Sequence, residues 1–237
     1  MIVIPMAGLS SRFFKAGYTI PKYMLDLNGQ SVFEWSVSSF TKYYKTDHFL
    51  FIIFDHFDTK KFVEMEIDKM GIENYSIVVL TEHTKGQADT VYQGIKNMTS
   101  DEELFIFNID SRLNDFEKLV DDSSVDGYLE VFKGEGGHWS FVLPGENNEV
   151  LKTTEKVKIS DLCSNGLYYF KSSALFKQKF EDELSKFNGN EIYIAPLYNK
   201  YILEKRRILY KVIEFKDIKF CGTPQEYTET LKKIKGI

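Results

Sequence analysis

The chain opens with the stretch Ile2-Val3-Ile4-Pro5-Met6-Ala7-Gly8-Leu9-Ser10-Ser11-Arg12, and Ile20-Pro21-Lys22 follows soon after it. The apolar residues 2–4 predict a short buried strand. The small residues that follow let a backbone approach a ligand closely, and successive N–H groups in such a turn suit phosphate oxygens. Arg12 adds a planar permanent cation, and Lys22 adds a point charge behind a rigid proline. The stretch predicts a polyphosphate-binding loop; an ordinary strand-to-helix connection with solvated basic side chains is the alternative.

The same residues resemble the signature loop of the sugar-phosphate nucleotidylyltransferases, also called nucleoside-diphosphate-sugar pyrophosphorylases. That loop commonly reads Ala-Gly-x-Gly-Thr-Arg, with Pro-Lys further along the chain. Ser10 stands where the second glycine is usual, and Ser11 stands where the threonine is usual. The resemblance implies that Arg12 and Lys22 are catalytic. It also implies a set of nucleotide-binding residues in the loop: Met6, Ala7, Gly8, Ser10 and Ser11.

Length and composition bound the architecture and the partners. A chain of 237 residues with 43% hydrophobic content fits one α/β domain with a sizeable core. We expect a single nucleotidyltransferase domain over residues 1–237, with a nucleotide-binding half at 1–120 and an acceptor-binding half at 121–237. The net charge of −5 gives no polybasic footprint, so we expect no nucleic-acid partner.

Targeting signals and cysteine usage point to a cytoplasmic protein without a membrane partner. No apolar run reaches membrane-spanning length, and the first residues do not form a signal-peptide pattern. The two cysteines, Cys163 and Cys221, lie far apart and match no metal-ligand spacing. We therefore expect buried free thiols. The sequence leaves the oligomeric state open, and a homo-oligomer is compatible with it.

Apolar runs alternate with helical patterns along the first half of the chain. Strands are predicted at 49–54 and 77–80, with an amphipathic helix at 58–70 between them that ends at Gly71. In that helix the pattern places Met65 on the inward face. The alternation predicts parallel strands with helices on both faces. Together with the resemblance, it predicts an α/β fold of the Rossmann-like (GT-A) type, with a mixed, mainly parallel sheet.

The loop Thr84-Lys85-Gly86-Gln87-Ala88 follows the third predicted strand. Open α/β sheets bind ligands at the carboxyl ends of their strands. The resemblance implies that Gly86 and Gln87 belong to the nucleotide site and read the base, because an amide offers a donor and an acceptor to a pyrimidine edge. A solvated Gln87 at the start of a helix is the alternative.

Asp110 ends the most apolar predicted strand, which begins at Leu104. A buried carboxylate needs a partner, and a Mg²⁺ ion shared with nucleotide phosphates is one that suits hard oxygen ligands. The resemblance implies that Asp110 binds Mg²⁺ and is catalytic. An ion pair with Arg112 or an Asx turn is the alternative. Many family members carry a second metal-binding Asp near the chain end, and here that position is Phe220.

Residues after 150 resemble the acceptor half of the family. The resemblance implies that Lys156 contacts the phosphate of the acceptor, whereas Glu155 and Asn165 hold its polar groups. Gly166 would allow close backbone approach, and Glu191 would line the pocket. Considered alone, an adjacent Glu-Lys pair is more often a solvated surface pair than a binding site.

The resemblance implies a Mg²⁺-dependent nucleotidyltransferase of the EC 2.7.7 class. A phosphate oxygen of the acceptor attacks the α-phosphorus of a nucleoside triphosphate, and pyrophosphate leaves. The acceptor is already ionised at neutral pH, so no general base is needed. Arg12 would stabilise the pyrophosphate, and Lys22 would stabilise the α-phosphoryl group.

The signature loop, Gly86-Gln87 and residues 106–110 also resemble a branch found with bacterial capsule genes. That branch is similar to a cytidylyltransferase that uses phosphoglutamine, so we expect CTP and L-glutamine phosphate as substrates. A sugar 1-phosphate with UTP, dTTP or CTP is the second expectation. A GT-A glycosyltransferase usually has Asp-x-Asp where this chain has Asn108-Ile109-Asp110. A nucleotide-binding protein without catalysis is the remaining alternative.

Overall fold

The computed structural model describes residues 1–119, 124–189 and 191–236. The chain forms two compact units, each built from separate segments. The first unit contains Met1–Val3, Thr84–Phe107 and Lys118–Phe215. The second unit contains Ile4–His83, Asn108–Glu117 and Lys216–Ile237.

The strands are β1 Ile2–Pro5, β2 Phe49–Phe54, β3 Tyr75–Leu80, β4 Leu104–Phe107, β5 Ser111–Leu113, β6 Gly127–Lys133, β7 Ser140–Pro144, β8 Val150–Glu155, β9 Leu162–Phe170, β10 Ile208–Val212 and β11 Ile218–Phe220. The α-helices are α1 Ser11–Lys15, α2 Val32–Val37, α3 Thr59–Met70, α4 Gln87–Ile95, α5 Ser173–Leu184, α6 Tyr198–Leu203 and α7 Pro224–Lys235. Short 3-10 turns connect several of these elements.

In the first unit the strands follow the order β10-β6-β9-β4-β1. Strand β4 runs parallel to β1, with Phe105 opposite Ile2, and β10 runs parallel to β6. Strand β9 is antiparallel to both β4 and β6, which makes the sheet mixed. The β7–β8 hairpin joins β9 through the pair Phe141 and Cys163.

In the second unit the strands follow the order β1-β2-β3. Strand β2 is apolar throughout and lies parallel to β3 over six residue pairs. A separate antiparallel pair joins β5 to β11, with Phe220 opposite Ser111. The predicted fold class is confirmed, because the chain forms a mixed, mainly parallel α/β sheet with flanking helices.

Helix α3 shows how the sequence sets these elements. Val63 and Ile67 form its buried face, and Gly71 ends it in the left-handed conformation that glycine adopts without strain. Met65 is 62% exposed, so the predicted inward orientation of this side chain is wrong. Helix α7 begins with a capping box in which Thr223 and Glu226 exchange hydrogen bonds.

No helix among the described residues is long and apolar enough to cross a membrane. Cys163 and Cys221 are both buried and free, as the sequence predicted. The division of the chain into halves at residue 120 remains a prediction.

Candidate active site

The signature loop starts where β1 ends in the second unit. The Met6 amide donates to the Ile52 carbonyl at 2.9 Å, which fixes the start of the loop to β2. Ala7 and Gly8 follow, and Ser11 begins α1, a helix of five residues. Arg12 is exposed and forms no ion pair in the part of the chain that the structure describes, so its guanidinium is available to an anion.

Ser10 has a structural role that a glycine at this position cannot supply. Its backbone is left-handed, at φ 50° and ψ 27°, a conformation that is costly for most residues and easy for glycine. Its hydroxyl accepts a hydrogen bond from the Lys22 amide at 3.1 Å. The side chain thus ties the signature loop to the Pro21-Lys22 segment, and the conformation explains why a glycine is usual at this position in the signature motif.

Lys22 and Asp110 form an ion pair in the second unit, through Lys22 Nζ and Asp110 Oδ2. Each side chain is about one-fifth exposed, at 21% and 19%, so the pair is only partly screened by water. The partner that the sequence required for a buried Asp110 is therefore Lys22, and the alternative pairing with Arg112 is not formed. The pair brings two of the predicted catalytic residues into contact.

Gly222 packs directly against Asp110. A Cβ atom at Gly222 would lie 2.9 Å from Asp110 Oδ2 and 3.4 Å from Glu226 Oε2, so only glycine leaves this carboxylate its position. The Cys221 amide also donates to the Asp110 carbonyl at 2.7 Å. The turn after β11 therefore holds Asp110 from its backbone and limits its side chain from one face. Phe220, at the position of the missing second Asp, lies in β11.

The Gly86-Gln87 loop of the first unit is clamped to the segment around Ile192. The Ala88 amide donates to the Ile192 carbonyl at 3.1 Å, and the Ile192 amide donates to the Lys85 carbonyl at 2.5 Å. A Cβ at Gly86 would lie 2.7 Å from that Ile192 oxygen. Gly86 also has φ 112° and ψ −175°, a region essentially restricted to glycine. Gln87 is the half-buried first residue of α4.

A charged cluster in the first unit contains three of the predicted acceptor residues. Lys156 Nζ donates to the Tyr193 hydroxyl at 2.6 Å and lies 4.0 Å from Glu155 and 3.9 Å from Glu191. The Tyr193 hydroxyl donates in turn to Glu191. The Ser140 hydroxyl donates to Glu155. The sequence indicated these charged residues but not Ser140. Its position opposite Glu155 follows only from the register of β7 and β8.

Burial and hydrogen bonds in this cluster favour the protonated form of Lys156 and disfavour the ionised form of Glu155. Burial raises the pKa of Glu155, although the Ser140 hydrogen bond and the Lys156 charge oppose the shift. The hydrogen bond to Tyr193 raises the pKa of Lys156. Burial, followed by the Glu191 hydrogen bond, raises the pKa of Tyr193. Lys156 is therefore a single cation that lies near two carboxylates, those of Glu155 and Glu191.

Asn165 and Gly166 lie in β9, away from open surface. The Asn165 amide donates to Glu130 at 3.1 Å, and its carbonyl oxygen accepts from the Leu167 amide at 2.9 Å. Glu130 also pairs with Lys211 at 2.8 Å. Gly166 has φ 93°, which a residue with a side chain adopts only under strain. Both residues have a fold role here, and their contact with an acceptor remains a prediction.

Comparison with known proteins places the chain among enzymes of known class. No protein-family model matches it, and no curated protein matches it. Among solved structures, a nucleoside-diphosphate-sugar pyrophosphorylase from Vibrio cholerae RC9 is 43% identical, with a TM-score of 0.92, and the alignment covers 98% of this chain and 100% of that one. The chain belongs to the nucleoside-diphosphate-sugar pyrophosphorylase family. It is a nucleotidyltransferase, as the resemblance of the signature loop implied.

More distant structures share the fold with this pyrophosphorylase family member. An inositol-1-phosphate CTP transferase from T. maritima is 16% identical, with a TM-score of 0.77 and coverage of 99% of this chain and 95% of that one. A UDP-glucose pyrophosphorylase complexed with UDP-glucose is 17% identical, with a TM-score of 0.73 and coverage of 99% and 98%. At these identities the likeness shows the fold alone.

A Mg²⁺ ion in this family member would have few protein ligands. Among the described residues no group of three His, Cys, Asp or Glu side chains could hold a metal ion. Asp110 supplies one carboxylate, and Phe220 supplies none. Mg²⁺ often binds through one or two carboxylates while substrate phosphates and water complete its shell, so Asp110 fits this mode and a protein cage does not.

Proposed function

We propose that this nucleotidyltransferase joins a nucleoside triphosphate, with CTP favoured, to a phosphorylated capsule precursor such as L-glutamine phosphate. A phosphate oxygen of the acceptor forms a bond to the α-phosphorus, the bond to the β-phosphate oxygen breaks, and pyrophosphate leaves. The Lys22–Asp110 pair next to the signature loop is the observation that carries the proposal. It joins a cation suited to the α-phosphoryl group to a carboxylate suited to a metal.

The second unit supplies the triphosphate-binding groups in this proposal. Arg12, exposed and without an ion pair among the described residues, binds the departing pyrophosphate. Lys22 moves its charge from Asp110 to the α-phosphoryl oxygens as negative charge builds there. Backbone amides around Ala7 and Gly8, with the Ser10 and Ser11 hydroxyls, hold the remaining phosphate oxygens. Mg²⁺, held by Asp110 and the phosphates, supplies charge neutralisation when bound.

Charge balance in the Lys156 cluster supports an acceptor that carries an amine. Lys156 lies within 4.0 Å of both Glu155 and Glu191. If Lys156 turns to the acceptor phosphate, the two carboxylates lose their cation, and Glu155 is mostly buried. Uncompensated buried charge is costly, so an ammonium group on the acceptor restores the balance. L-glutamine phosphate carries such a group, whereas a hydroxyl-only sugar 1-phosphate does not.

A sugar 1-phosphate acceptor with UTP, dTTP or CTP is the second candidate. Similarity to the nucleoside-diphosphate-sugar pyrophosphorylase from Vibrio cholerae and to the UDP-glucose pyrophosphorylase favours it. The proposed base loop does not decide between the nucleotides. Gln87 can pair with either pyrimidine, because its amide supplies both a donor and an acceptor.

Pyrophosphate release separates these candidates. We would assay CTP, UTP, dTTP, ATP and GTP with Mg²⁺ against phosphoglutamine, glucose 1-phosphate and glucosamine 1-phosphate, where the last two differ in one amine. The proposal predicts highest kcat/KM with CTP and phosphoglutamine, and a preference for glucosamine 1-phosphate over glucose 1-phosphate. Glu191→Gln should reduce that amine preference, whereas Lys158→Met, in the exposed pair with Asp161, should leave it unchanged.

If pyrophosphate is released with glucose 1-phosphate and with glucosamine 1-phosphate at equal kcat/KM, the amine-bearing acceptor is rejected and the second candidate is favoured. Nucleotide binding without pyrophosphate release from any pair would reject the transferase proposal for these acceptors. A capsule role is tested separately, by deletion of the gene and measurement of capsule composition in the source organism.

A further inference from the structure

The sheet of the second unit ends at β3, and the outer side of this strand is open. Strand β3, Tyr75–Leu80, pairs with β2 on one side. In the described part of the chain, no other segment bridges or hydrogen-bonds to the backbone of this strand. Because alternate residues of a strand direct both backbone groups to one side, about three of the six residues present an unpaired N–H and C=O outward. Such an edge is a template for another strand.

Two edge strands of the first unit, β8 and β10, are covered, which distinguishes them from β3. On β8, the Asn199 side chain accepts from the Thr153 amide and donates to the Thr153 carbonyl, both at 2.9 Å. On β10, Glu149 bridges to Leu209, and its carboxylate lies 3.4 Å from Arg207. Proteins commonly protect edges by such covers, or by charges, prolines and bulges. The six residues of β3 contain no charge and no proline, and their pairing with β2 contains no bulge.

The side chains of β3 are mostly apolar, although none of its residues is buried. Tyr75 is 36% exposed and Val79 is 39% exposed, and Ile77, Val78 and Leu80 are half-buried. In the neighbouring strand β2, five of the six residues are buried. An apolar edge that is both exposed and unpaired favours association with another chain. Strand β3 therefore has the properties of an interface strand.

Helix α3 carries two opposite charges on the flank that faces this open edge. Glu66 and Lys69 bond to side chains of α2 and its cap, so they mark the flank next to α2. Successive residues advance by about 100° around a helix, which places Lys60 and Glu64 on the other flank. Right-handed crossovers put α2 and α3 on one face of the strands β1-β2-β3, with α3 nearer to β3. The Lys60 and Glu64 side chains lie 3.8 Å apart and are about half exposed.

We propose that β3 is the interface of a homodimer, in which a second copy of this chain pairs its own β3 antiparallel across a two-fold axis. The pairing continues the sheet from one copy into the other and satisfies the open backbone groups. A strand without charges can face itself in this way, since no like charges meet. The two α3 helices then lie on the same face of the continued sheet and run antiparallel, so that Lys60 of each copy approaches Glu64 of the other. These self-complementary charges favour a second copy over an unrelated strand.

Sedimentation velocity of the full chain at increasing concentration tests for the dimer. The wild type should change from one chain to two, and hydrogen exchange at the amides of residues 76–80 should slow as the dimer forms. Val79→Lys places a charge on the open edge and should weaken the dimer about tenfold or more. Val212→Lys is the matched control, because Val212 is 51% exposed on β10, whose outer side is already bridged by Glu149. This control should keep the dimer.

Exchange of the two helix charges tests the arrangement of the copies without any change in β3. Lys60→Glu and Glu64→Lys each leave like charges on the flank, so each should weaken its homodimer about fivefold, as expected for two exposed ion pairs. A mixture of the two variants should form the heterodimer in preference to either homodimer, because only pairing between the chains restores opposite charges. Native mass spectrometry measures the proportions. A mixture of Lys158→Glu and Asp161→Lys, in an exposed pair of the first unit, is the matched control and should show no preference.

Three results would each overturn the proposal. The first is a single chain at every concentration, which would also be found if β3 paired only with a strand of another protein. The second is an undiminished dimer in Val79→Lys. The third is a statistical mixture of homodimers and heterodimers from Lys60→Glu and Glu64→Lys, which would place the dimer contact on another surface.

Discussion

Substitution of Gly86 by alanine tests whether the Gly86-Gln87 loop needs its observed conformation. A Cβ at this position would lie 2.7 Å from the Ile192 oxygen and 2.8 Å from the Ile192 nitrogen, closer than real Cβ atoms approach backbone. The backbone of Ile192 would have to move away, because no flexible side chain is available to yield. That movement breaks the two hydrogen bonds that join Ile192 to Lys85 and Ala88.

The expected cost follows from these contacts. The backbone conformation of Gly86, at φ 112° and ψ −175°, costs a residue with a side chain about 1–3 kcal/mol. Two backbone hydrogen bonds add about 1 kcal/mol each. The total is about 3–5 kcal/mol. If this cost destabilises the loop conformation that binds nucleotide, the KM for the nucleotide rises about a hundredfold or more.

Urea unfolding, amide hydrogen exchange at Ala88 and the kinetics of pyrophosphate release together measure this effect. Exchange at Ala88 should become faster in Gly86→Ala, since its hydrogen bond to Ile192 is lost. Gly137→Ala is the matched control, because a Cβ at Gly137 meets no atom within 4 Å and its φ is not positive. Unchanged stability, amide exchange and nucleotide KM in Gly86→Ala would show that the Gly86-Gln87 loop does not need this conformation.

Further substitutions test single contacts of the two units. Ser10→Ala keeps the strained backbone and loses the bond to the Lys22 amide, so urea unfolding should find it about 1 kcal/mol less stable than Ser10→Gly, which relieves the strain. Lys22→Met should abolish pyrophosphate release and destabilise the fold by about 1–2 kcal/mol, whereas Lys22→Met with Asp110→Asn should recover stability without activity; equal stability of both variants contradicts the pair. Because the pKa of Glu155 is raised in the folded state, the folded state binds this proton more tightly than the unfolded state does. The stability of the fold therefore decreases as the pH rises above the ordinary pKa of a glutamate side chain. Thermal unfolding of Glu155→Gln from pH 4 to 7 should therefore show a smaller loss of stability with pH than the wild type, and an identical pH dependence would contradict the shift.

Local sequence signals predicted strands, helices and helix ends, because each of these depends on residues that are close together in the sequence. The apolar run 49–54 became β2 with the predicted bounds, and Gly71 ended α3 where a glycine cap was expected. The inward orientation of Met65 failed, because helical spacing fixes which residues share a face but not the width of the face that is covered. The short pair of β5 and β11 was missed, since residues 111–113 and 218–220 are far apart and carry no alternation long enough to read.

The sequence predicted which residues belong to the candidate site, but it did not predict which of them contact one another. The resemblance supplied Lys22 and Asp110, but the ion pair between them depends on the fold of the second unit. The clamp on Gly86 depends on Ile192, a residue that no sequence signal singled out, because only its backbone atoms take part.

The proposed reaction transfers a nucleotidyl group to a phosphorylated acceptor. The most direct measurement is ³¹P NMR of the chain with CTP, Mg²⁺ and phosphoglutamine, in which both products are observed together. We expect a new phosphoanhydride signal and free pyrophosphate in equal amounts for the wild type, and neither for Lys22→Met. Consumption of CTP without the new anhydride, or equal turnover by Lys22→Met, would contradict it.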